Sequence, residues 1–208
     1  MTLPISWVEY AAVAIGAVTG VLAASGQRID LFGVLVLALV TAVGGGTLRD
    51  LCLGSYPIFW VKDPHFLLAA ILAALLTFGA ARFVRMPHRA LLIADAFALA
   101  LFAVAGTEKS LQLQDSGLVA VLLGVVTGVA GGVLRDVLRR EVPLAFRPEI
   151  YLYATAALAG ATVLVALRRL APAFPQAPLV AMGLTLVLRL SAILFKLRLP
   201  VFRTKELP

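Results

Sequence analysis

The chain has 208 residues, 62% of them hydrophobic and only 14% charged, with a mean hydropathy of +1.01. A soluble domain is nearer half apolar and a quarter charged, so a water-soluble fold of this size cannot hide so much apolar side chain, and the solvent must be lipid. The net charge of +7 and the pI near 10.2 do not point to nucleic acid, because the basic residues stand at the ends of apolar runs and form no stripe on a soluble face.

The first ten residues, MTLPISWVEY, place no Lys or Arg ahead of the apolar run. They lack the basic opening of a cleaved signal peptide and read as the start of a retained helix. Crossing the hydrocarbon core takes about 20 mostly apolar residues. Seven stretches meet that requirement, at roughly 5–25, 31–53, 65–84, 90–109, 117–138, 149–167 and 178–197. The connections are short and carry Gly, Pro and polar residues, and none is long enough for a soluble domain. The expectation is an all-α integral membrane protein, one membrane domain from 1 to 208. Cys52, the only cysteine, excludes an intramolecular disulfide and a Cys-based metal cluster; it reads as a small packing residue.

Loop charges set the orientation. Arg28, Arg82, Arg85, Arg89, Arg139, Arg140, Arg147, Lys196, Arg198, Arg203 and Lys205 fall on one side; Lys62, Lys109, Arg168 and Arg169 fall on the other. Eleven against four predicts a cytoplasmic C-terminus and an outside N-terminus.

Sliding the chain by 86 residues aligns Thr41–Asp50 (TAVGGGTLRD) with Thr127–Asp136 (TGVAGGVLRD). The same shift pairs Glu9 with Asp95, Gly20 with Gly106 and Pro57 with Pro143. This is an internal repeat, about 5–86 and about 90–169, with a seventh helix at about 178–197 outside it. Each unit holds three spans, and an odd number sends the second copy through the membrane in the opposite direction. Inverted repeats of this kind belong to channels and transporters whose pathway runs between the halves.

The chemistry concentrates in the second and fifth spans. Gly44, Gly45 and Gly46 recur as Ala130, Gly131 and Gly132, preceded by Thr41 and Thr127. Each glycine costs about 1 kcal/mol of helix propensity relative to Ala. A cluster therefore permits a kink or an unwound turn whose carbonyls face a cavity, or else a close helix crossing. Three and four residues on stand Arg49-Asp50 and Arg135-Asp136, ionisable pairs inside apolar spans. Such groups face a bundle interior or an aqueous path. Neighbours at i and i+1 do not share a helix face, so each is expected to find its partner elsewhere, in a pathway or in a structural salt bridge. Arg189, near the middle of the seventh span, is a further intramembrane charge, with Asp95 or Glu9 as its candidate partner. Glu108 and Lys109 close the fourth span and read as interfacial. His65 and His88 have no spaced co-ligands, so no metal is expected. The chain shows no phosphate-binding loop, no Ser-His-Asp set and no HExxH, which leaves no support for an enzyme or a cofactor.

The string GGGTLRDL at 44–51, followed by YPIFWVKDP at 56–64 and by the second copy at 131–136, resembles the prokaryotic trimeric intracellular cation (TRIC) channel family. The resemblance runs from the first span through the seventh. It implies a homotrimer in lipid whose protomers each hold a pore for monovalent cations, chiefly K⁺, with Na⁺ also a candidate. It implies too that the second and fifth helices break at the glycine motif and line that pore. The residues carried over are Gly44, Gly45, Gly46, Arg49 and Asp50, then Gly131, Gly132, Arg135 and Asp136. Ala130 departs from the pattern, and its Cβ puts equal kinking of the two halves in question. The phosphoinositide motif of the animal members is not found. A secondary transporter of a small solute such as glycine is the alternative, since it uses the same architecture.

Overall fold

The computed structural model describes residues 5–83, 89–147 and 152–197. The basic residues expected at 198–205 and at Arg85 lie outside them. Seven long helices carry the chain: α1 (Ile5–Ala24), α2 (Leu31–Cys52), α4 (His65–Phe83), α5 (Ala90–Leu113), α6 (Gly117–Leu138), α7 (Tyr153–Leu170) and α8 (Ala177–Phe195). The short helix α3 (Phe59–Lys62) and a 3₁₀ turn (Leu144–Phe146) follow α2 and α6 respectively. Six of the long helices are long and apolar enough to cross a membrane, and α4 adds a shorter apolar stretch, His65–Ala81.

The helix ends follow local chemistry. Asp30 caps α2 by accepting the Gly33 amide at 2.8 Å, and Ser116, 86 residues later, caps α6 through the Val119 amide. Beyond the C-termini, Gly54 (φ +61°) and Arg140 (φ +56°) occupy the same left-handed position. There Ser55 and Glu141 donate their amides back to the carbonyls of Asp50 and Asp136 at 2.9 and 3.0 Å. The left-handed bend suits Gly54; Arg140 adopts it with a Cβ, at a cost of about 1–2 kcal/mol.

Two expectations about the helices change. The fourth span runs on to Leu113, because Ser110 back-bonds to the Gly106 carbonyl at 2.7 Å and Lys109 and Glu108 both have intramolecular partners, so neither ends the helix at the interface. The sixth span starts at Tyr153, after Leu152 in a left-handed conformation, and the expected residues 149–151 lie outside the described part.

Packing is close because the interior is small. Ala12, Ala17, Ala38, Ala42, Ala70 and Ala74 are fully buried among α1, α2 and α4, and Leu99, Ala103 and Ala157 repeat the theme among α5 and α7. Without a hydrophobic drive between helices in lipid, such residues bring backbones into van der Waals range. α1 packs on α2 and α4, and α5 packs in the same way on α6 and α7. The two groups meet where α2 lies along α6 and α1 along α5, while α8 rests on α5 and α7.

α2 and α6 are uninterrupted α-helices through their glycines. This corrects the expected break. An unmade backbone hydrogen bond inside a bilayer costs several kcal/mol, more than the roughly 1 kcal/mol of propensity lost per glycine, so the helices stay closed where packing supports them. Ala130, half-buried in an equally regular helix, therefore makes no difference of kinking between the halves.

Candidate functional site

The glycines sit at the crossing of α2 and α6. A Cβ built on Gly45 would stand 2.1 Å from the Thr127 carbonyl oxygen, and one on Gly131 would stand 2.3 Å from the Thr41 carbonyl oxygen. The two contacts are reciprocal, each glycine of one helix lying under the threonine carbonyl of the other. The hydroxyls of Thr41 and Thr127 turn back to the Leu37 and Leu123 carbonyls at 2.6 and 2.5 Å, keeping both threonines compact. Gly44 faces Leu134, and Gly46 lies under the Phe59 ring, where a Cβ would come within 2.6 Å. At Gly132 the same atom would stand 3.2 Å from the Tyr153 hydroxyl. Close crossing is thus what the motif serves in this structure.

An ion network flanks the crossing at each end. At the first, Asp50 is fully buried and accepts from Arg49 Nε at 2.8 Å, from Lys109 Nζ at 2.8 and 2.9 Å, and from the Phe59 amide at 2.9 Å. Arg49 Nη1 reaches Glu9 at 3.2 Å. At the second, Asp136 accepts from Arg135 Nε at 2.8 Å, from Arg135 Nη2 at 3.2 Å and from the Leu144 amide at 2.9 Å. Arg135 Nη1 reaches Asp95 at 3.0 Å. Arg49 and Arg135 both occupy the last turn of their helices, where the dipole favours a cation. Asp95 and Lys109 are 14 residues apart on α5, about 20 Å along its axis, so the networks lie at its two ends.

Arg49, Asp50 and Arg135 each meet a charged partner elsewhere in the fold, namely Glu9, Lys109 and Asp95, and Asp136 meets the Leu144 amide; what the sequence reading did not expect is that Arg49 and Asp50, and Arg135 and Asp136, also pair with each other. At the C-terminal rim of a helix the long arginine stem folds across to its neighbour. With no water to solvate either group, the short-range pair closes as well as the longer-range one to Glu9 or Asp95. Arg189 stands beside the second network: it is fully buried, lies 4.6 Å over the Tyr153 ring and feels the charge of Asp95.

Sequence reasoning missed four contributors. Lys109 binds Asp50, and its signal was the 14-residue spacing from Asp95, close to four turns, which puts both on one face of α5. Glu108, also read as interfacial, is buried and paired with Arg168 at 2.6 Å. Phe59 and Tyr153 close the two ends, and nothing in the repeat marks them, since their contacts come from segments that do not correspond. In the loop before α4, Asp63 accepts from the Tyr10 hydroxyl of α1 and from His65 Nδ1 at 2.7 Å. Those bonds hold the Asp63 carboxyl below the usual carboxylate range, the Tyr10 bond contributing most.

A family model described as "Glycine transporter" matches residues 6–82 and 92–169. The chain is 44% identical over 202 residues to the Escherichia coli K12 "UPF0126 inner membrane protein YadS", covering 96% of this chain and 97% of that one. Among solved structures it is similar to the TRIC channel orthologue from Rhodobacter sphaeroides (38% identity, 93% of this chain and 98% of that one, TM-score 0.87). It is also similar to a prokaryotic TRIC channel crystallised in 0.5 M KCl (26% identity, 92% and 96% covered, TM-score 0.84).

Proposed function

We propose that this chain, which belongs to the prokaryotic TRIC channel family, conducts monovalent cations, K⁺ foremost, along the α2–α6 crossing within each protomer of a homotrimer. It is a family of channels and not of enzymes. The observation that carries the reading is the reciprocal contact of Gly45 with Thr127 and Gly131 with Thr41, flanked at both ends by a buried arginine between two carboxylates. Charged and polar groups held at this depth, along the seam of two packed halves, support a path beside the crossing.

The residues of this path are Thr41, Gly44, Gly45, Gly46, Arg49 and Asp50 on α2, and Thr127, Ala130, Gly131, Gly132, Arg135 and Asp136 on α6. The halves, about 5–86 and 90–169, are repeats related by an axis in the membrane plane, with α8 outside. The double match of the family model supports this, as do the ion pairs Arg49–Glu9 and Arg135–Asp95, which repeat at a spacing of 86 residues. The host is a bacterial inner membrane, as the name of the E. coli relative suggests, with the N-terminus outside.

Proteoliposomes loaded with KCl test the reading. Valinomycin-independent K⁺ efflux, unaffected by glycine, is the expected result. Saturable glycine uptake with no K⁺ efflux would overturn it in favour of a transporter.

A further inference from the structure

The two ion networks correspond in their carboxylates and arginines and part at one further cation. In the first, that cation is Lys109, 21% exposed and bound to both oxygens of Asp50. The shift of 86 residues puts Ala23, which is buried, where a matching lysine would stand. The second network takes its cation from outside the repeat. Arg189 of α8 is fully buried, lies over the Tyr153 ring and is within reach of the Asp95 charge. Each network then holds two carboxylates and two cations, and beyond the second Arg139 and Arg147 share Glu141.

This cluster borders the crossing. A Cβ on Gly132 would stand 3.2 Å from the Tyr153 hydroxyl, 3.6 Å from Asp95 Oδ1 and 3.7 Å from Arg135 Nη2. Arg189 is six residues, about 9 Å, from the last residue of α8. It therefore lies toward the C-terminal side, with the end of α6 and the starts of α5 and α7.

We propose that Arg189 is a conduction-setting charge: from the helix outside the repeat, it fixes the electrostatic barrier to cations entering the path at the C-terminal side. The proposal rests on the channel reading and adds to it a determinant on α8. A guanidinium stays charged at any working pH, and a buried one is screened by salt far less than a surface one. Without it, the four buried charges Asp95, Asp136, Arg135 and Arg189 no longer balance, and this end turns negative and draws cations in. Cations from the C-terminal side meet that field on entry, and cations from the other side meet it only on leaving. An arginine so placed is a one-sided barrier.

Excised patches from bacterial spheroplasts that express the full chain test this in symmetric KCl, the C-terminal side being identified by a reporter fused after Pro208. Arg189→Gln removes the charge, and Arg189→Met removes it while keeping a stem on the Tyr153 ring. In both, the unitary current of cations entering from the C-terminal side is expected to rise about twofold over the opposite limb, the effect of one unit charge at about 10 Å in water. Arg189→Lys restores the charge and is expected to keep the wild-type ratio of the two limbs. An unmoved ratio in the neutral variants, with fewer channels or a lower melting midpoint as the only change, makes Arg189 a structural residue and overturns the proposal. An equal rise of both limbs overturns it too. Should the neutral variants not fold, Arg189→His supplies a charge that titrates within one folded protein between about pH 5 and 8. Its ratio is expected to rise with pH where that of the wild type does not, and a flat ratio overturns the proposal. Silence of the wild type, with folded protein in the membrane, refutes the channel reading and this proposal with it; current with an unmoved ratio refutes this proposal alone.

Discussion

Arg49 and Arg135 occupy matching places yet carry unequal burdens. Removing Arg49 leaves Asp50 held by Lys109 through both oxygens, and Glu9 keeps a side chain that is 17% exposed. Removing Arg135 strips Asp136 of two bonds and Asp95 of its 3.0 Å ion pair, with Arg139 still 3.7 Å from Asp136 and Arg189 still near Asp95. Breaking a buried pair from one side costs about 3–5 kcal/mol, and the second site comes nearer to that condition than the first. Thermal melting in detergent should therefore show a larger fall for Arg135→Gln than for Arg49→Gln. Equal falls would contradict the assigned role of Lys109. A folded Arg49→Gln also removes a positive charge beside the cation path, so its unitary current should rise or change shape. Asp63 supplies a pH test. Its depressed ionisation means the Tyr10–Asp63–His65 contacts add stability above the usual carboxylate range, lost as pH falls through the lower folded value. Asp63→Asn should lower stability at neutral pH and flatten the acid limb of the melting profile. The arginines and aspartates were legible in the sequence because ionisable groups stand out in apolar spans. Tyr153 was not, because a tyrosine near a helix start is ordinary until its ring is seen under Arg189.

The glycine motif shows how an element can be read correctly in place and wrongly in form. Its position, its repetition and its neighbourhood were plain in the sequence. Whether it breaks a helix or lets two helices touch depends on what lies opposite, and no local pattern contains that. Here the opposing atoms are backbone carbonyls at 2.1 and 2.3 Å from the missing methyl groups. Gly45→Ala and Gly131→Ala gain about 1 kcal/mol of propensity but must force the helices apart, and overpacking costs typically 1–3 kcal/mol. Both should melt lower than the wild type, whereas Gly183→Ala, with nothing within 4 Å, should hold or raise the midpoint. A rise for Gly45→Ala would restore the hinge reading of the motif. The lengthened α5 teaches the same lesson: Glu108 and Lys109 looked like an interface and are held by Arg168 and Asp50.

For the whole molecule, the membrane class and the helix count followed from hydropathy, because about 20 apolar residues in a row have few other uses. The order of helix contacts needed the structure. The trimer rests on the family, and native mass spectrometry in detergent should show a species at three times 22.0 kDa. A monomer or dimer that still conducts would refute it. Orientation rests on the eleven-to-four loop charges, and a cytoplasm-only fluorescent reporter fused after Pro208 should light up. A fully expressed but dark fusion would reverse it. The most direct test of the central claim is planar-bilayer recording of the purified chain across a tenfold KCl gradient. The account predicts unitary currents that reverse near the K⁺ equilibrium potential without any energy source. Silence of the bilayer, with protein shown to be inserted and folded, would contradict it.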